Sequence, residues 1–74
     1  MKRFRTGESY RVNGGGTITI TKRTSQYVTY TGDYSGKKKI YTYDEEGLFG
    51  LGEHILVPMA AGHTFCFAGK EIKA

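Results

Sequence analysis

The sequence predicts a small all-β domain in which short antiparallel strands close into a half-open barrel. Short β-branched and aromatic segments recur between turn signals at intervals of roughly 8–12 residues, which is typical of small barrels and sandwiches. Glycine supplies 11 of the 74 residues and proline only one, which indicates many turns. No segment has the 3.6-residue apolar period of an amphipathic helix, although residues 48–52 could form an irregular crossing or a single helical turn.

The first predicted hairpin has the strongest signals. Ser9–Val12 alternates so that Tyr10 and Val12 share one face, and residues 13–16 (Asn-Gly-Gly-Gly) form the turn, because glycine accepts positive φ without strain. Thr17–Arg23 follows as the clearest strand, β-branched for five residues and alternating with a period of two. This alternation predicts that Ile18 and Ile20 point into the core. It predicts that four side chains point outward: Thr17, Thr19, Thr21 and Arg23.

The rest of the chain continues as strands and turns. Predicted strands cover residues 27–31, 37–43, 53–57 (ended by Pro58) and 63–68 (broken by Gly69), with residues 70–74 as a candidate final edge. Closing such a sheet removes exposed edges, which a small β protein must protect. We therefore predict a single domain, residues 1–74, with a five- to six-stranded antiparallel half-open barrel of the SH3-like or OB-like kind.

Size and charge favour a binding protein over an enzyme. A chain this short buries only about 60% of the surface that its unfolded form exposes, so the walls of a deep active-site cleft would consume its core. The net charge of +4 permits contact with nucleic acid or with an acidic protein, and argues against a protein that imitates DNA. We predict no enzymatic activity and no cofactor.

The single cysteine and the hydropathy pattern indicate the cellular compartment in which the protein resides. Cys66 has no second cysteine to pair with, whereas small secreted domains usually carry several disulfides. No apolar stretch is long enough to span a membrane, and no apolar run follows the basic start at residues 1–3. These features predict a cytoplasmic protein without membrane contact, and they leave a monomer or a homodimer open.

Cations and tyrosines cluster on neighbouring predicted strands. A single-stranded nucleic acid needs positive charge for its phosphates and flat rings for its bases. Lysines on an edge strand also protect that edge against aggregation, so the pattern alone does not decide between the two interpretations. The candidate nucleic-acid-binding residues are Lys22, Arg23, Lys37, Lys39, Tyr41 and Tyr43.

An apolar segment between glycines gives the alternative function. Leu48, Phe49 and Leu51 would form a patch that docks on a protein partner, or a plug for the open end of the barrel. Edge-strand pairing is another route to a partner. On this alternative the protein inhibits or modulates a host or defence protein.

The remaining polar motifs carry no predicted chemistry. Three consecutive carboxylates at residues 44–46 do not converge on a metal, and we expect them in a solvated turn. His63 and Cys66 lie on opposite faces of a strand, so they form neither a zinc site nor a catalytic pair. We expect Cys66 to be a small buried apolar residue, and we predict no catalytic and no metal-binding residue.

The chain resembles short orphan proteins of bacterial phages, integrated elements and conjugative plasmids. The matching motifs are strand and turn elements: Phe4 with Gly7 and Tyr10, Lys22-Arg23-Thr24, Tyr27-Val28-Thr29, Gly36-Lys37, Glu53 to Pro58, and Ile72 to Ala74. The chain departs from the pattern at residues 48–52 and at residues 63–65. The resemblance implies a small β fold and a mobile-element accessory protein, and it assigns no activity and no functional residue.

Overall fold

The computed structural model describes residues 2–42, 52–60 and 62–72. Within them, six strands form one antiparallel sheet in the order β4-β3-β2-β1-β6-β5. The strands are β1 (Ser9–Val12), β2 (Thr17–Arg23), β3 (Tyr27–Gly32), β4 (Gly36–Lys39), β5 (His54–Met59) and β6 (Gly62–Ile72). The predicted small antiparallel β-barrel is therefore confirmed.

The sheet curls until its two edge strands approach each other. Beyond β4, Tyr41 and His54 exchange two backbone hydrogen bonds of 2.9 Å, which join the β4 end of the sheet to β5. Along β4 itself no ladder to β5 is formed, so the barrel is nearly closed and keeps one open seam between these strands.

The core lies inside the curled sheet. Ile18 and Ile20 of β2 are buried, as the alternation predicts, and Tyr10 and Val12 of β1 lie beside them. The core cluster consists of Phe4, Tyr10, Val12, Ile18, Ile20, Val28, Tyr30, Ile55, Val57, Cys66 and Ala68. At roughly 1.5–3 kcal/mol for each large apolar side chain buried, this cluster is the main source of stability.

Two strands run further than the sequence predicts. Pro58 lies within β5 and pairs with His63, which is tolerated because β5 is an edge strand and needs no amide hydrogen on its free side. Gly69 lies within β6, where the pairing with β1 shifts between Val12↔Cys66 and Tyr10↔Glu71. Glycine in a strand often marks such an irregularity, and β6 continues through Gly69 to Ile72.

The predicted strand over residues 37–43 is shorter in the structure. β4 ends at Lys39, and Tyr41 contributes only the isolated bridge to His54. Residue 43 lies outside the described residues.

A bulge in β2 changes which side chains face outward. Ile20 pairs with Tyr30 and Lys22 with Thr29, so one extra residue is inserted on β2 at this point. Such an insertion reverses the alternation that follows it. Lys22 therefore faces outward, and Arg23, opposite the buried Val28, faces inward. The prediction that Arg23 lies on the outer face with the threonines is wrong.

Candidate functional site

The outward turn of Lys22 completes a polar row across three strands. Lys22 pairs with Thr29, and Thr29 pairs with Lys37. Directly opposed residues of an antiparallel sheet point to the same face, so two lysines flank one threonine on the outer surface. Both lysines are exposed, and their ammonium groups are free to meet an anion.

Tyr27 lies next to this row on the same face. Its cross-strand partner is Lys39, and the ammonium nitrogen of Lys37 lies 5.2 Å from its ring centroid. This distance is within the range of a cation–π contact. Tyr27 is 40% exposed, so the side chain stays partly accessible although a lysine contacts its ring.

Lys39 and Tyr41 repeat the arrangement one step along the chain. The ammonium nitrogen of Lys39 lies 5.7 Å from the Tyr41 ring centroid, and the ring is 44% exposed. The backbone bridge to His54 fixes the position of Tyr41. Together these residues form the lysine–tyrosine face, defined as Lys22, Tyr27, Lys37, Lys39 and Tyr41.

An aromatic cluster continues from Tyr41 across the open seam. The ring of His54 lies 5.8 Å from Tyr41, 5.5 Å from Phe65 and 5.7 Å from Phe67, measured between centroids, and the two phenylalanine rings stack at 5.6 Å. Phe65 is 37% exposed, whereas His54 and Phe67 are buried. We call this set, Tyr41, His54, Phe65 and Phe67, the aromatic seam.

Burial determines the charge of the seam. Desolvation lowers the pKa of His54 below its ordinary value of 6.5, because the surrounding rings replace the water that would stabilise the imidazolium. His54 is therefore neutral at pH 7. It contributes an uncharged aromatic ring to the seam, and the positive charge of this surface comes from lysine.

Three surface hollows lie along the lysine–tyrosine face and the aromatic seam. A hollow of about 90 Å³ lies beside Lys22 and Tyr27, one of about 230 Å³ lies between β4 and β5, and one of about 300 Å³ lies over the aromatic seam. None of the described residues that line them is aspartate or glutamate. The surface is thus cationic and aromatic throughout its described part.

Arg23 borders the smallest of these hollows, but its guanidinium is bound at the end of the barrel. Its guanidinium donates to both carboxylate oxygens of Glu53, at 2.7 and 3.0 Å, and to the carbonyl of Phe4 at 2.8 Å. The hydrogen bond to Glu53 raises the pKa of Arg23. With its donors committed to the protein, Arg23 is left out of the candidate site.

The structure brings together four of the six residues predicted for nucleic acid: Lys22, Lys37, Lys39 and Tyr41. Tyr43, and the alternative partner-binding residues Leu48, Phe49 and Leu51, lie outside the described residues.

The sequence analysis missed Leu56, which lines the two larger hollows, and it also missed Tyr27, His54 and Phe65. The last of these was detectable, because Phe65 and Phe67 alternate with Cys66. If Cys66 is in the core, both rings must face outward. The meeting of Tyr41 with His54 was not detectable, because it depends on how the sheet closes.

Other reactive groups show no catalytic geometry in the described part of the chain. Cys66 is fully buried, and desolvation raises the pKa of its thiol to about 12, so it carries almost no thiolate. Cys66 faces the core while His63 is exposed, as predicted from the strand alternation. No group of three or more histidine, cysteine, aspartate or glutamate side chains converges there, and no described helix has the length and apolar character to cross a membrane.

Comparison with known proteins finds no matching family model, no matching curated protein and no matching solved structure.

Proposed function

We propose that the protein binds single-stranded nucleic acid through the lysine–tyrosine face, without catalysing a reaction. The observation that carries the proposal is the repeated pairing of Lys37 with Tyr27 and of Lys39 with Tyr41, at 5.2 and 5.7 Å. Each pair combines a cation for a phosphate with an exposed ring for a base.

The arrangement favours a single strand over a duplex. Stacking requires bases whose flat faces are free, and the bases of a duplex already stack on one another. The two tyrosines reach out from neighbouring parts of one face, so successive unpaired bases have successive platforms. Stacking is tolerant of sequence because every base has a π-face, so we expect weak base preference.

The exposed rings also argue against a purely protective role for the lysines. Edge lysines alone would discourage aggregation. The rings of Tyr27 and Tyr41, 40% and 44% exposed on the same face, would work against that purpose, because apolar surface promotes association. A ligand that covers the rings and neutralises the lysines accounts for both.

Fluorescence anisotropy with labelled 12-nucleotide strands tests the proposal. We expect micromolar or tighter binding of single-stranded DNA or RNA at low salt, weaker binding of the matching duplex, and a steep loss of affinity as salt rises, because counterion release drives binding. Absence of binding at low salt, or binding that high salt leaves unchanged, would overturn the proposal.

A pair of substitutions separates stacking from general charge. Tyr41→Leu removes the ring and should weaken binding by about fivefold or more, since a stacked base contributes roughly 1–3 kcal/mol. Tyr41→Phe keeps the ring and should bind almost as well as the original chain. Equal affinities for both variants would exclude Tyr41 as a stacking platform.

The mobile-element origin and the protein-binding alternative stay predictions of the sequence. No described residue bears on the patch at residues 48, 49 and 51. Should the oligonucleotides fail to bind, affinity capture with a variant carrying polar residues at 49 and 51 is the experiment that decides the alternative.

A further inference from the structure

Two of the hollows meet at the open seam of the barrel. We call the hollow between β4 and β5 the basic hollow. Its lining consists of Lys37, Lys38, Lys39, His63, Tyr41 and Leu56. The last two residues also line the neighbouring hollow. The neighbour, here the apolar hollow, is lined by Tyr41, Thr42, His54, Leu56 and Phe65. Because they share two residues, one molecule can occupy both.

The apolar hollow has the character of a base site. Its volume of about 300 Å³ is at the lower end of the range for small-molecule sites. The rings of Tyr41 and Phe65 both contact the His54 ring, at 5.8 and 5.5 Å, and are themselves partly exposed. A flat apolar group placed here would lie against aromatic rings with an aliphatic floor at Leu56.

The basic hollow has the character of a phosphate site. Lys38 pairs with the buried Val28 and is half-buried, so it points to the opposite side of β4 from Lys37 and Lys39. All three lysines nevertheless line the same hollow, because no ladder closes the sheet beside β4. Three lysines in the lining of about 230 Å³, with no described carboxylate among the lining residues, favour a multiply charged anion.

We propose that the seam binds one nucleotide unit, with its base in the apolar hollow and its phosphate in the basic hollow. The inference rests on the proposed function and adds a discrete site to it. Charge complementarity selects the occupant. An apolar peptide would leave the lysines unmatched, and a free phosphate would leave the rings uncovered, whereas a nucleotide satisfies both hollows at once.

Chemical-shift mapping with three probes tests this site. Thymidine 5′-monophosphate, thymidine and inorganic phosphate are titrated separately into the ¹⁵N-labelled full chain. We expect the monophosphate to shift the amide signals of both hollows, thymidine only those near Leu56 and Phe65, and phosphate only those near Lys37–Lys39 and His63. Monophosphate shifts confined to the neighbourhood of Lys22, or absent, would overturn the nucleotide site.

The main alternative occupant of the seam is an acidic peptide, and a titration with tetraglutamate distinguishes it from a nucleotide. If tetraglutamate reproduces the shifts of the monophosphate while thymidine produces none, the seam recognises carboxylates and the proposal is wrong.

A matched pair of variants locates the base. Phe65→Leu keeps apolar volume but removes the ring, and it should weaken the monophosphate by about fivefold or more. Tyr34→Leu changes a tyrosine that lies outside both hollows and outside the lysine–tyrosine face, where its hydroxyl donates to the Gly15 carbonyl, and it should leave monophosphate affinity unchanged. Equal monophosphate affinities for both variants would place the base elsewhere.

The two proposals fail in different ways. Loss of 12-nucleotide binding at low salt removes the proposed function. Retained 12-nucleotide binding with no monophosphate shifts at the seam removes only the nucleotide site.

Discussion

The guanidinium of Arg23 and the carboxylate of Glu53 form a two-point ion pair, with nitrogen–oxygen distances of 2.7 and 3.0 Å. The Glu53 carboxylate also accepts the amide hydrogen of Phe4 at 2.9 Å, and Arg23 donates to the Phe4 carbonyl at 2.8 Å. The pair thus joins the end of β2, the residue before β5 and the N-terminal segment, which covers one end of the core.

Removing Arg23 should destabilise the fold. Arg23→Ala leaves the buried carboxylate of Glu53 without its cation, and we expect a loss of about 2–3 kcal/mol in the free energy of unfolding. This is less than for a fully buried pair, because the Arg23 side chain is 21% exposed. Urea denaturation measures the change. The control is Arg11→Ala, which changes an exposed arginine on β1 and should alter the free energy of unfolding by less than about 0.5 kcal/mol. Equal losses in the two variants would contradict a structural role for the Arg23–Glu53 pair.

A glycine is required at position 32 because β2 and β3 approach each other too closely there for a side chain. Its φ is +129°, and a Cβ there would lie 2.8 Å from the Thr17 carbonyl oxygen. Gly32→Ala should therefore cost about 2–4 kcal/mol, from backbone strain and a backbone clash together. At Gly15, where φ is +113° and the space is open, alanine should cost about 1–2 kcal/mol, from backbone strain alone. Thermal unfolding of the two variants compares them, and a smaller cost at Gly32 would refute the contact.

Stability should fall in mild acid because of His54. Its folded pKa lies below the unfolded value of 6.5, so the unfolded chain binds a proton first as pH falls. The stabilisation is complete above pH 6.5 and is lost as pH falls through the lowered folded pKa. Urea midpoints at pH 7.5 and below 6.5 should show the decrease. His54→Phe should reduce the decrease; an unchanged decrease in this variant would assign the effect to other groups.

Cys66 should resist alkylation in the folded protein. Its thiol is fully buried and its pKa is about 12, so both access and thiolate content are low. We expect iodoacetamide at pH 8 to react more than about a hundredfold faster in denaturing urea than in buffer, because only the thiolate is nucleophilic. Mass spectrometry over time measures both rates. Similar rates in the two conditions would mean that Cys66 is exposed in the folded chain.

Local patterns in the sequence were sufficient for most of the fold. The alternation in Thr17–Arg23 predicts the buried Ile18 and Ile20, and the glycines after Asn13 predict the first turn, because both signals depend on neighbouring residues alone. The direction of Arg23 could not be predicted in this way. One extra residue in β2 reverses the faces, and this irregularity appears only in the pairing of β2 with β3, which no local pattern in β2 reveals.

The candidate site also contains residues that local sequence patterns predict and residues that they do not. Lys37, Lys39 and Tyr41 are close in sequence, so a period of two places them on one face. His54 and Phe65 meet Tyr41 only because the sheet curls and closes at the Tyr41–His54 bridge. Pairing over such separations is a property of topology, and a single sequence does not reveal it.

The most direct test of nucleic-acid binding compares two double variants of equal charge. Lys37→Gln with Lys39→Gln, and Arg5→Gln with Arg11→Gln, each lower the net charge from +4 by two, but only the first pair lies on the lysine–tyrosine face. The measurement is the slope of log affinity against log salt for a 12-nucleotide single strand. We predict that the slope becomes shallower by about 1.4 in the lysine variant, from about 0.7 for each lost phosphate contact, and stays unchanged in the arginine variant. Equal changes in the two variants would mean that net charge alone attracts the strand, and would contradict the proposed face.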